Sequence, residues 1–322
     1  MTVLYSCPFV PAEWIAAHGL RPSRVTVRPA HATAPGLGVG VCPYANAFLQ
    51  EVSVPGNGAA VVFTTTCDQM RRISERMDPG QPVFVMHVPT TWQTTAAQRL
   101  YRDELLRLGR FLEGLGGRPP SPERLADTMI AFDEARAKLR DARGALSPRQ
   151  FSEAIAHFHH TGQVSLPANA TPASSPGVPL ALAGGPMMSH HFDLFDLIEQ
   201  HGGAIVLDAT TTGERSLPPP FDRRALRDDP IGELAGAYFG HIPDAFRRPN
   251  SRLYTWLRDA VAERGIRGII LRHYLWCDTW HAEVQRMREW DLVPVLALHA
   301  EQDESLGIRT TARLQAFLEM LL

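Results

Sequence analysis

The chain reads as an α/β protein of two doubly wound domains, and three observations lead there. Strand-like apolar runs alternate with amphipathic stretches before about residue 95 and again from 178 onward, on either side of a Pro/Ser/Ala/Gly-rich segment, 161–177, that has no periodicity. AAVVFTTT and PVFVMHVP are continuous apolar runs, the pattern of parallel strands covered on both faces. From about Thr95 to His160 the period is wholly helical. The chain therefore divides into an N-terminal α/β domain with a helical extension (1–160, the extension about 95–160), a linker (161–177) and a C-terminal α/β domain (178–322).

TVLYS opens the chain as a strand. PAEWIAAHG has Pro11 near its start and Gly19 at its end, the asymmetry of a short helix. VTVRP, AAVVFTTT and PVFVMHVP follow as strands. The helical extension holds TAAQRLYRDELLRLGRFLEGLG, SPERLADTMIAFDEARAKLRDARG and SPRQFSEAIAHFHH; the last two start with serine as N-cap and proline at the first helical position. Beyond the linker VPLALAGGP, AIVLDA, IRGIILRHYL and LVPVLALHA read as strands. HHFDLFDLIEQHGG, SRLYTWLRDAVAERG, TWHAEVQRMREW and TTARLQAFLEMLL read as the helices between and after them. In such sheets ligands bind beyond the carboxyl ends of the strands, which places a site in the cleft between the two domains.

At 322 residues with 44% hydrophobic and 20% charged side chains, the chain buries a substantial core. Its start lacks a basic stretch followed by a long apolar region, and no run approaches the roughly 20 apolar residues of a membrane span, so a cytoplasmic protein without membrane attachment is expected. A net charge of -2 argues against nucleic acid as a partner. Four cysteines without a secretory signal point to reduced thiols used for metal binding, catalysis or packing. Lys138 is the single lysine, which excludes a Walker A loop and assigns any ATP hydrolysis to another polypeptide.

Three cysteines occupy matching strand-to-helix junctions: Cys42 in GVGVCPYANAFLQE, Cys67 in VVFTTTCDQMRRISE and Cys277 in GIILRHYLWCDTWHAEV. A helix N-terminus at each would favour the thiolate, the form that binds iron. Packing as small buried hydrophobes is the ordinary alternative. Three soft thiolates without a fourth protein ligand suit a cluster with an open iron better than closed structural zinc. Cys7 is expected to be a packing residue outside the set.

Gly184 and Gly185 would let backbone approach a ligand, and His190 with His191 follow that turn at the mouth of the second domain, so these four are candidate substrate-binding residues. The GxGxxG spacing of a dinucleotide site is absent here and in GLGVGV before Cys42. His157, His159 and His160 end a helix, where histidine suits the dipole and is commonly solvated. Asp68 and Asp278, each directly after a cysteine, read as first residues of helices, and Thr64, Thr65 and Thr66 as the end of a strand.

At these residues the chain resembles the D-component family of 2-hydroxyacyl-CoA dehydratases and class I benzoyl-CoA reductases. VPAEWIAAHGLRPSRV, CPYANAFLQE, TTTCDQMRR, LALAGGPM, IVLDATTTGERSL, DPIGELAGAYF, LWCDTWHAEV and DESLGIRTTARLQAFLEML fall in the family order over most of the chain. The resemblance implies a [4Fe-4S] cluster held by Cys42, Cys67 and Cys277 with one iron position open, in the cleft between the two Rossmann-like domains already read from the pattern. It implies a paralogous subunit, an acyl-CoA substrate, and an ATP-hydrolysing iron-sulfur activator that supplies single electrons for radical dehydration or reduction of the thioester. The sequence departs at Ala209, where an acidic residue is common, while keeping Asp208, Gly213 and Arg215. A second reading is an electron-transfer or assembly subunit whose catalytic site lies on the paralogous partner.

Overall fold

Two four-stranded parallel sheets carry the fold, and both have the same strand order. A computed structural model describes residues 1–29, 40–54, 59–169, 177–300 and 307–322. Part of the linker (170–176), most of GLGVGV and the DESL of the terminal motif lie outside the described residues.

In the first sheet β1 (Thr2–Tyr5), β2 (Arg21–Arg24), β3 (Ala60–Thr64) and β4 (Val83–Met86) lie in the order β2-β1-β3-β4. Helices α1 (Ala12–Ala17), α2 (Pro43–Val52) and α3 (Asp68–Ser74) connect them, followed by α4 (Thr95–Gly114), α5 (Pro122–Ala142) and α6 (Pro148–Thr161). The second sheet runs β6-β5-β7-β8, from β5 (Val178–Gly184), β6 (Gly203–Thr210), β7 (Gly268–Tyr274) and β8 (Val295–Ala300). Its helices are α7 (Asp193–Gln200), α10 (Ser251–Arg264), α11 (Asp278–Glu289) and α12 (Ile308–Leu321), while α8 (Ala225–Asp228) and α9 (Pro230–Ala235) pack on α4 and α5 of the first half. Every residue of β3 is buried, as its continuous apolar run requires of a central parallel strand, but β4, from PVFVMHVP, is the edge strand and is fully buried only at alternate residues; β7 is central and buried throughout although it carries Arg272 and His273.

One strand differs from expectation: β2 is Arg21–Arg24, not VTVRP. Its register pairs Thr2 with Arg21 and Tyr5 with Arg24, and β1 ends at Tyr5. Val25 N–H still reaches the Tyr5 carbonyl at 2.8 Å, and beyond it VTVRP has no strand to pair with. Local β propensity was overruled by where the neighbour stops.

The expected caps are present. Ser121 Oγ accepts from Arg124 N–H at 3.2 Å, and Ser147 with Gln150 forms a reciprocal capping box. Helix α6 lies against both β2 and β6, edge strands of the two sheets. Residues 221–246 return to the first half, where Phe221, Leu234, Tyr238 and Phe239 join the core of Val3, Phe9, Trp14 and Tyr101. Tyr238 Oη donates to Glu13 at 2.6 Å, and Glu13 also takes a buried bond from Arg136 at 2.5 Å. No helix among the described residues is long and apolar enough to cross a membrane.

Candidate functional site

Strand ends from both sheets meet at a cavity of about 100 Å³, and all four cysteines line it. Cys7 follows β1 by two residues, Cys67 follows β3 by three, and Cys277 follows β7 by three. Cys42, Cys67 and Cys277 are the N-caps of α2, α3 and α11. Gln69 ties two of these junctions together, its Oε1 accepting from Cys42 N–H at 3.2 Å. Cys7 was expected to lie apart; it shares the cavity because β1 is the central neighbour of β3, and its Sγ sits 3.5 Å from Thr66 Oγ1. Thr64 and Thr66 also line the cavity, while Thr65 turns away to accept from Val88 N–H at 3.0 Å. Tyr44, Tyr274, Trp280 and Phe246 supply its apolar wall.

Burial decides the protonation of these thiols. It pushes Cys42 up to about 11 and Cys277 up to about 12, and raises Cys67 and Cys7 as well. Backbone N–H groups of Ala45, Met70 and Trp280 pull Cys42, Cys67 and Cys277 the other way, but less strongly. The expectation that helix N-termini favour the thiolate is therefore corrected: desolvation outweighs the amides, and the thiols of the folded chain are neutral at pH 7. A bound metal would itself remove the protons.

Three buried arginines lie near the cavity without lining it: Arg24 and Arg247 act on Cys7, and Arg272 on Tyr274. Arg24, Arg247 and Arg272 are all buried, and none forms an ion pair with a carboxylate among the described residues. Arg24 donates to the carbonyls of Ser6 (2.8 Å) and Thr211 (2.6 Å). Arg247 lies over Phe9 and Phe239 at 4.3 and 4.2 Å, and burial holds it down to about 10. Arg272 lies 4.7 Å over the Tyr274 ring, with Nη2 lacking a hydrogen-bond partner among the described residues. The Asp244 carboxylate acts on Arg247, whereas Arg24 and Arg272 have no ion pair among the described residues, and an anionic occupant would offset their buried charge. Sequence reasoning missed these residues, since one Arg among many in a chain with a single lysine carries no signal.

None of Gly184, Gly185, His190 and His191 lines the cavity. Gly184 has φ +143°, and a Cβ there would sit 1.9 Å from the Arg272 carbonyl, so it serves close approach of β5 to β7. A Cβ on Gly185 would meet Trp280 at 3.4 Å. His191 Nδ1 lies 3.2 Å from Tyr274 Oη and 3.3 Å from Met188 N, and burial drives its pKa far down. His190 packs on it with ring centroids 3.7 Å apart. Both histidines thus stand behind Tyr274, which faces the cavity.

The IVLDATTTGERSL motif is a scaffold. Asp208 accepts from Ser152 Oγ and Thr210 Oγ1, each at 2.7 Å, and a Cβ on Gly213 would fall 2.1 Å from the Asp208 Cγ. Arg215 pairs with Asp244 at 2.5 Å and donates to Thr211, Gly184, Ala209 and Pro243. Asp244 and Thr211 line the cysteine cavity. Arg215 also lines a larger groove of about 800 Å³, together with Arg140, Arg143, Arg252 and Arg264. His159 binds Ser216 Oγ at 2.9 Å and His160 binds Ser23 Oγ at 2.9 Å, so these histidines join elements rather than stand solvated. Asp68 and Asp278 are exposed first residues of α3 and α11.

Fold and site together define an α/β protein of two four-stranded parallel sheets with a thiol-lined cavity at the strand ends. The chain belongs to the 2-hydroxyglutaryl-CoA dehydratase, D-component family, whose model matches residues 7–321. It is 24% identical over 302 residues to the Escherichia coli (strain K12) protein named "Putative dehydratase subunit YjiM", covering 81% of this chain and 74% of that one. Among solved structures, the laminin-binding protein Lbp of Streptococcus pyogenes aligns over 100% of this chain and 99% of its own, at 12% identity and a TM-score of 0.22, too low to carry any argument.

Proposed function

We propose that this chain is the cluster-bearing subunit of a 2-hydroxyacyl-CoA dehydratase-type enzyme, with Cys42, Cys67 and Cys277 holding a [4Fe-4S] cluster that has one open iron position. The observation that carries this reading is that cysteines from both halves line one cavity, Cys42, Cys67 and Cys277 each as the N-cap of a helix. Bound there, the cluster would supply a low-potential electron and a Lewis-acidic iron for an acyl thioester carbonyl. The chain's own residues do the rest. The three thiols give up their protons as iron loads. Arg24 and Arg272 offset the negative charge of the loaded site, and Tyr44, Tyr274, Trp280 and Phe246 keep water from it.

The arginine-lined groove suits the phosphates of coenzyme A, and Arg215 spans from that groove to the Thr211 and Asp244 wall. Gly184, Gly185, His190 and His191 serve substrate indirectly, by fixing Trp280 and Tyr274. Dehydration is favoured over ring reduction because the matched family is named for a dehydratase. A paralogous subunit is expected against Leu275 and Trp276, which stand 44% and 47% exposed directly before Cys277. Electrons come from a separate ATP-hydrolysing iron-sulfur activator, since the chain has no lysine for a phosphate loop.

Anaerobic purification with iron and sulfide analysis and EPR tests the reading. About four irons and four sulfides per chain, with a reduced-cluster signal, are expected. A chain without acid-labile sulfide, or a triple Cys42→Ser/Cys67→Ser/Cys277→Ser variant that keeps its iron, would overturn it.

A further inference from the structure

A second group of metal-ligating side chains lies at the carboxyl ends of β7 and β8. His273 and His299 are register partners on these adjacent strands, with ring centroids 4.5 Å apart. His281, in the second turn of α11, brings its ring to 5.3 Å from His273 and 6.5 Å from His299. One ring nitrogen from each lies within 4.8 Å of the others. We infer that His273, His281 and His299 form a three-imidazole site for a divalent transition metal, best filled by Zn²⁺, distinct from the cysteine cavity.

The inner ligand is set for this. His273 is 2% exposed, and its Nδ1 lies 3.2 Å from the Tyr274 carbonyl oxygen, which only accepts. Nδ1 therefore carries the ring proton, and Nε2 is left with a lone pair. That Nε2 is buried without a hydrogen-bond partner among the described residues. A metal ion satisfies such an atom, and a second ring nitrogen donating to a carbonyl is the usual way a ligating histidine is oriented. His281 and His299 are exposed, so they can turn inward to the roughly 2.0–2.1 Å reach of a zinc–imidazole bond.

Three neutral imidazoles leave a fourth tetrahedral position open, facing solvent. Arg288, Arg309 and Arg313 act on His299 and Arg272 on His273, so the surroundings are cationic. They weaken the hold on a bare dication and favour an anion, such as hydroxide or a carboxylate, as its fourth ligand. His281 N–H donates to the Cys277 carbonyl at 2.9 Å, so an ion here would also pin the first turn of α11 to the sheet. The assignment does not depend on what Cys277 binds.

The test uses the full chain, purified anaerobically and dialysed against metal-free buffer, with Zn²⁺ measured by elemental analysis and Co²⁺ as the optical probe. One equivalent is expected, with Kd of about 1 μM or tighter and the ligand-field absorption of four-coordinate Co²⁺. A His281→Ala/His299→Ala double variant, altered only at exposed positions, should bind at least about tenfold more weakly. The triple Cys→Ser variant should bind as the parent does. No retained equivalent in the parent, unchanged binding in the double histidine variant, or loss in the cysteine variant alone would each overturn the assignment; the last would place the ion among the thiols.

Discussion

The two halves of the molecule repeat one topology, β2-β1-β3-β4 in the first and β6-β5-β7-β8 in the second, yet they arm it differently. Cys67 stands three residues past the third strand of its sheet and Cys277 three past the third strand of the other. Two residues past the first strand, the first half offers Cys7 and the second Pro186, and both line the cavity. The first half gives three of the four thiols. The second gives one, with Asp244, paired to Arg215, in the same cavity wall and Arg272 over the ring of Tyr274. Equivalent strand ends are brought to the cleft by topology; what chemistry they carry is left to individual side chains.

If Cys67 and Cys277 are equivalent ligands, serine at either should remove most of the cluster iron, because a hydroxyl replaces a charged soft ligand. Iron analysis of the anaerobic single variants checks this, and unequal losses would break the symmetry. The next effect concerns the buried ion pairs. Arg215→Leu strands Asp244 in the second half and Arg136→Leu strands Glu13 in the first; each should cost about 3–5 kcal/mol in denaturant unfolding. A markedly smaller loss for one would show that only the other half depends on its pair.

Gly184→Ala forces a Cβ against the Arg272 carbonyl at an unfavourable φ and should cost about 3 kcal/mol, read in the same titration. In the metal-free chain, thiol alkylation should be slow at pH 7. Because burial raises the thiols, the reactive thiolate fraction grows about tenfold per pH unit toward about 11 for Cys42 and about 12 for Cys277. Rates flat across pH 7–9 would mean that the thiols are already ionised. The smallest effect is expected at Cys7: serine there should leave iron content unchanged although Cys7 lines the cavity, and a clear loss would make it a ligand.

Much of the scaffold was legible. Ser121 and Ser147 mark helix starts because capping is a bond between residues three apart, and the apolar run of β3 announces a central strand, whereas the similar run of β4 lies at a sheet edge. The three motif cysteines were legible as a set because each follows an apolar or glycine-rich run and opens a helix pattern, although only Cys67 and Cys277 directly follow a strand among the described residues. Other features were not. VTVRP looks like a strand but outruns its neighbour, and Cys7, which packs against the first core as expected, also lines the cavity because it follows the strand beside β3.

Local patterning, which acts over three to seven residues, was enough to specify the alternating elements, their caps and the junctions at which thiols stand. Protonation of those thiols, the buried arginines near the cavity and the meeting of His273, His281 and His299 were decided only in three dimensions. Desolvation depends on everything packed around a group, and register partners such as His273 and His299, 26 positions apart in the chain, are set by strand pairing.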